Sequence, residues 1–82
     1  MGMGDSMTDV TVTPISGPDG VNFIYLLGEV AGAPAVSTVR TVASAALASG
    51  ATTVAAEVAA LRTEVETAYT NWQAATAALA NL

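Results

Sequence analysis

An apolar seam near the C-terminus limits the folds open to this chain. Val54, Val58, Leu61, Val65, Ala68, Trp72, Ala75, Leu79 and Leu82 follow one another at alternating steps of four and three residues. That spacing keeps all nine on one helical face, the pattern of a helix that buries a narrow stripe in a coiled coil. With Val58 at position a, the other a residues are Val65, Trp72 and Leu79, and Val54, Leu61, Ala68, Ala75 and Leu82 occupy d. Alanine, the best helix former, fills much of the surrounding sequence. Glu57 and Glu64 fall at g and Arg62 at e. In a parallel coiled coil Glu57 then faces Arg62 of the neighbouring chain as an interchain ion pair. Trp72 is bulky, and Ala68 and Ala75 on either side leave room for it, which favours a trimer over a dimer. The same spacing also fits a helix packed within one chain, with Val39–Ser49 folded back at Gly50, or a helix laid on a foreign surface.

Size adds a second reason to expect a partner. A chain of 82 residues forms one domain at most, and domains this small bury little of their surface. Cysteine and histidine are absent, so disulfides, thiolate or imidazole metal sites and histidine catalysis are excluded. Lysine is absent too, and Arg40 and Arg62 stand against seven carboxylates. Phosphate neutralisation needs clustered cations, so nucleic acid is not an expected partner. The apolar fraction of 52% is nevertheless too high for a disordered chain. An apolar chain with a thin core and no staple points to a homo-oligomer, to docking on a larger protein scaffold, or to both.

The remaining sequence divides into a lead-in over 1–7, a β-rich region over 8–34 and a helical region over 35–82, with the coiled-coil seam at 54–82. Thr8–Thr13 alternates polar and β-branched apolar residues at period two, as a half-buried strand does. Pro14 confines that strand to an edge or a terminus. Ser16-Gly17-Pro18-Asp19-Gly20 signals a turn. Val21–Leu27 follows as a second strand, apolar on both faces. A lone hairpin is marginal in water, so it is expected to borrow a third strand or a partner surface. Phe23, Ile24, Tyr25, Leu26 and Leu27 are its expected docking contacts. Two points stay open: whether Val36–Val42 is strand or helix, and whether Gly50 ends a first helix or lies inside a long one. The fold class expected is α+β, a β-hairpin region followed by an alanine-rich helix that forms an oligomeric, trimeric coiled coil.

No catalytic constellation is present. Glu64 and Glu66 are two apart and diverge on a helix, and the serines lack a histidine. The glycines match no phosphate-binding or dinucleotide fingerprint, and the aspartates lack calcium-loop spacing. The expectation is a protein that is not an enzyme and uses no cofactor and no metal. Met7-Thr8-Asp9-Val10-Thr11-Val12-Thr13-Pro14 resembles the opening of small bacteriophage head proteins of the decoration or head-fibre kind. The resemblance covers about a tenth of the chain and transfers no binding residue. It implies a structural virion component, a cement or fibre protein seated on a capsid shell. The alternative is a small membrane-associated protein with an imperfect span over 41–61. The uncharged stretches are shorter than the roughly 20 apolar residues a span needs, and Glu57 would have to enter the bilayer.

Overall fold

The computed structural model describes residues 10–82, apart from the side chain of Pro34. The expected lead-in at 1–7, with Thr8 and Asp9, lies outside the described residues. Three strands, β1 (Val10–Ile15), β2 (Phe23–Val30) and β3 (Ala33–Ala43), form one antiparallel sheet in the order β1-β2-β3. A short helix, α1 (Ser44–Ser49), leads into a long one, α2 (Val54–Ala80). The architecture is α+β, as the sequence suggests.

The third strand comes from the chain itself. Val36–Val42 is strand, so the β part runs on to Ala43 instead of ending at 34, and Val39–Ser49 is strand end and short helix, not a second long helix folded back on α2. β-branched Val36, Thr38, Val39, Thr41 and Val42 explain this choice, since such side chains fit a pleated sheet better than a helix. The β2–β3 turn is Ala31-Gly32, with Gly32 at φ 81, a left-handed conformation that glycine adopts without strain. Beyond it β3 carries an irregularity. Ala33 pairs with Val30, Ser37 pairs with Glu29, and the residues between bulge out of the ladder. Pro14 stands on an edge strand, where a residue without an N–H costs the sheet no bond.

Gly50 ends α1 at φ 82 and donates its N–H to the carbonyl of Leu47. α2 then starts afresh, with the Thr53 hydroxyl accepting the N–H of Ala56 at 3.1 Å as its N-cap. The segment 41–61 is therefore strand end, short helix, break and new helix, not a continuous span. No helix among the described residues is long and apolar enough to cross a membrane.

The core lies between the sheet and the first half of α2. Val10, Leu26, Val30, Ala33, Val36, Val42, Leu61 and Val65 are buried, and Val12, Ile24, Leu47, Val58, Ala68 and Tyr69 pack around them. Leu61 and Val65 are completely buried. They press on Gly28 in the central strand, where an added Cβ would stand 2.6 Å from a Val65 methyl and 3.1 Å from Leu61 Cγ. Glycine at this place lets the helix approach the sheet backbone.

Candidate functional site

Two apolar surfaces stay uncovered in the folded chain, and each uses part of the residues expected to mediate contacts. The first is the outer face of the sheet. Strand residues alternate between faces, and β2 divides accordingly. Ile24, Leu26, Gly28 and Val30 face α2, whereas Phe23, Tyr25, Leu27 and Glu29 face away. The register sets Ile15 and Thr41 beside Tyr25, Thr13 and Val39 beside Leu27, and Thr11 and Ser37 beside Glu29. Phe23, Tyr25 and Leu27 are half-buried by these neighbours, and Ile15 and Val39 are exposed. The Tyr25 ring lies against Gly17, which has no side chain to push it away.

The docking set Phe23, Ile24, Tyr25, Leu26 and Leu27 thus needs a correction. Leu26 is buried beneath the chain's own helix and Ile24 packs beside it, so neither is free to meet a partner. The reason is the period-two alternation of a strand covered on one side. Phe23, Tyr25 and Leu27 stay on the uncovered face, together with Ile15 and Val39.

The second surface is the far end of α2. Every residue from Thr70 to Leu82 is exposed, so about 16 Å of helix, Thr70 to Ala80, lies uncovered at 1.5 Å per residue. Trp72, Leu79 and Leu82 are among the exposed large apolar residues of the molecule. Trp72 stacks on Tyr69 with ring centroids 5.8 Å apart, which holds one face of the indole. From Thr67 to Leu82 there is no charged side chain.

The seam read from the sequence is therefore split. Leu61 and Val65, flanked by Val58 and Ala68, are taken up by the sheet and are not available to a neighbouring helix. Val54, Trp72, Ala75, Leu79 and Leu82 remain exposed. The interchain pair Glu57–Arg62 also needs a correction, because both residues are engaged within one chain. Glu57 accepts from Arg40 Nε at 2.6 Å and from the Thr52 hydroxyl at 2.6 Å. Arg62 Nη1 donates to the carbonyl of Val10 at 2.9 Å.

Arg40 has no role that composition or heptad spacing assigns to it. It sits on the helix-facing side of β3, and Nη1 also reaches Glu64 at 2.7 Å. Glu57 and Glu64 are seven apart, two turns along one face, so a single guanidinium bridges them. The strand alternation Val36, Thr38, Arg40, Val42 was the signal that places Arg40 on the core side. Hydrogen bonds from the Thr52 hydroxyl and from Arg40 hold the Glu57 carboxyl below its usual titration range, and the bond to Glu57 raises the Arg40 guanidinium. This cluster joins β3 to α2. Elsewhere a shallow open depression is lined by Thr11, Glu29, Val30, Ala31 and Gly32. No group of carboxylates among the described residues has metal-site geometry. Comparison with protein-family models, curated proteins and solved structures finds no match for this chain.

Proposed function

We propose that this chain is a non-enzymatic structural protein of an assembly, a small virion component that decorates or cements a capsid shell. The outer face of its sheet seats it on the shell, and the free end of α2 joins it to further copies. The observation that carries this reading is the uncharged helical end with Trp72, Leu79 and Leu82 exposed. A helix end of that composition is stable in water chiefly when its stripe is covered. The likeness of Met7–Pro14 to phage head proteins supports the choice of scaffold.

The test has two parts. Light scattering of the full chain is expected to give more than one copy. Leu79→Asp is expected to lower that mass without changing the circular dichroism spectrum. A photo-crosslinker at Leu27, introduced in the source cells, is expected to capture the shell-forming protein of purified particles. An unchanged mass for Leu79→Asp ends the helical part of the reading. Particles that contain none of this chain end the virion part.

A further inference from the structure

The two edges of the sheet are treated differently, and the backbone of the β3 edge, whose Val39 side chain also lies on the outer face, is open to a further contact. The N–H of Ser44 donates to the carbonyl of Asn22 at 2.8 Å. In an antiparallel ladder this fixes which pairs exchange hydrogen bonds. Ile24–Val42, Leu26–Arg40 and Gly28–Thr38 do, and the backbone groups of Ser37, Val39, Thr41 and Ala43 point away from β2. By the same alternation, those of Val10, Val12 and Pro14 point outward from β1.

The β1 edge is closed to pairing. Pro14 has no N–H to offer, and the outward carbonyl of Val10 is occupied by Arg62. The β3 edge carries its proline, Pro34, and its irregularity only at the start, and from Ser37 to Ala43 it has no such device. From Ala35 to Ala43 it contains no proline, and its one charged side chain, Arg40, is drawn under α2 by Glu57 and Glu64. Among the described residues, no hydrogen bond reaches the outward backbone groups of Ser37, Val39 or Thr41. Their side chains are small, neutral and exposed, and Val39 is half exposed. A regular edge of this kind is a template for another strand.

We propose that β3 pairs edge to edge with β3 of a second copy, antiparallel about Val39, to form one continuous six-stranded sheet. Self-complementarity selects the second copy as occupant. Centred on Val39, the pairing sets Val39 against Val39, Ser37 against Thr41 and Thr38 against Arg40 of the other chain. Hydroxyls meet hydroxyls and a β-branched residue meets its like, both favourable cross-strand pairs. The register one residue along would oppose Arg40 to Arg40. The chain carries a net charge of −5, yet the edge is neutral, so two copies meet there without repulsion. A two-fold axis perpendicular to the sheet keeps both α2 helices on one face, each over its own strands, and makes the contact isologous.

The test uses the full chain, with sedimentation equilibrium for mass and amide hydrogen exchange for the edge. Wild type is expected to dimerise, with exchange at Ser37, Val39 and Thr41 slowed about tenfold or more on passing from dilute to concentrated solution. Val39→Lys sets two ammonium groups opposite each other and is expected to weaken the dimer about tenfold or more. Thr41→Pro removes an outward donor and is expected to do the same, and thermal melting shows that both variants fold. Leu79→Asp is expected to leave the slow exchange at Ser37, Val39 and Thr41 in place. The edge contact thus survives a failure of the helical end, and the reverse also holds. The proposal is overturned if Val39→Lys keeps the wild-type mass. It is equally overturned if these amides exchange as freely in concentrated as in dilute solution, or if Leu79→Asp alone abolishes their protection.

Discussion

The two halves of α2 carry one spacing of apolar residues and live in opposite surroundings. From Val58 to Ala68 the stripe lies on the chain's own sheet, and Leu61 and Val65 lose all contact with water. From Trp72 to Leu82 the same stripe is exposed. Periodicity therefore marks a face that favours burial without saying what buries it. The neighbours of the stripe decide that. Glu57, Arg62 and Glu64 flank the first half and bond to the sheet or its edge, whereas the second half has no charged residue with which to anchor itself.

Truncation of one leucine in each half gives the largest contrast. Leu61→Ala is expected to cost about 2–5 kcal/mol of folding stability, because it empties a fully packed site. Leu79→Ala is expected to change the stability of the single chain by less than about 0.5 kcal/mol, as exposed substitutions do. Urea unfolding at dilute concentration separates the two. If Leu61→Ala lowered only the assembled mass and left the unfolding midpoint alone, the stripe would be intermolecular throughout.

Gly28→Ala probes the same contact from the sheet side. The new methyl meets Val65 and Leu61 closer than van der Waals distance. Relief requires α2 to rise from the sheet, and overpacking of this kind costs about 1–3 kcal/mol. The expected sign is destabilising, although alanine usually suits a strand no worse than glycine does. A neutral or stabilising outcome would show that the first half of α2 does not sit tightly on β2.

How much of this was legible beforehand follows from which interactions are local. The turn signal at Ser16–Gly20, the confinement of Pro14 to an edge or a terminus and the alanine-rich C-terminal helix all follow from short-range chemistry, and the structure has a turn, an edge strand and a long helix at these places. Val36–Val42 stayed open because β-branched residues in an alanine-rich neighbourhood send mixed local signals. The sheet resolved them by offering β2 a second partner. Which strand faces meet α2 depends on packing partners distant in sequence, so Ile24 and Leu26 could not be told from Phe23, Tyr25 and Leu27 in a run apolar at every position. Gly28 and Arg40 were missed for the same reason. A glycine in a strand hints at close approach, and a lone arginine among valines hints at a partner, but neither hint names the helix.

A smaller effect is expected from Thr53→Ala. The hydroxyl accepts the N–H of Ala56 at the start of α2, and loss of an N-cap costs about 0.5–2 kcal/mol, typically near 1. The cap belongs to the packed half, so the loss should appear as reduced folding stability. Fraying of the free end, followed by tryptophan fluorescence of Trp72, should be the same in Thr53→Ala as in wild type.

The smallest effect at neutral pH is expected from Glu57→Gln, and its pH dependence is more telling than its size. The Glu57 carboxyl is held below its usual range by the Thr52 hydroxyl first and by Arg40 second. A lowered folded-state value means that the unfolded chain takes up the proton first as pH falls. The stabilisation from Glu57 is thus fully present above its ordinary carboxylate range and is lost as pH falls through the folded-state value. Arg40 remains charged throughout this window, since its own value is raised. Wild type and Glu57→Gln should therefore differ most near neutrality and converge in acid, as measured by urea unfolding at a series of pH values. Glu57 ties β3 to the packed half of α2, and the free half carries no charged residue from Thr67 onward. Acid should accordingly loosen the helix–sheet contact while leaving any association of the helical end unchanged. Acid dissociation of that end at a pH where the sheet stays intact would mean that it, too, is held by carboxylates from elsewhere in the chain.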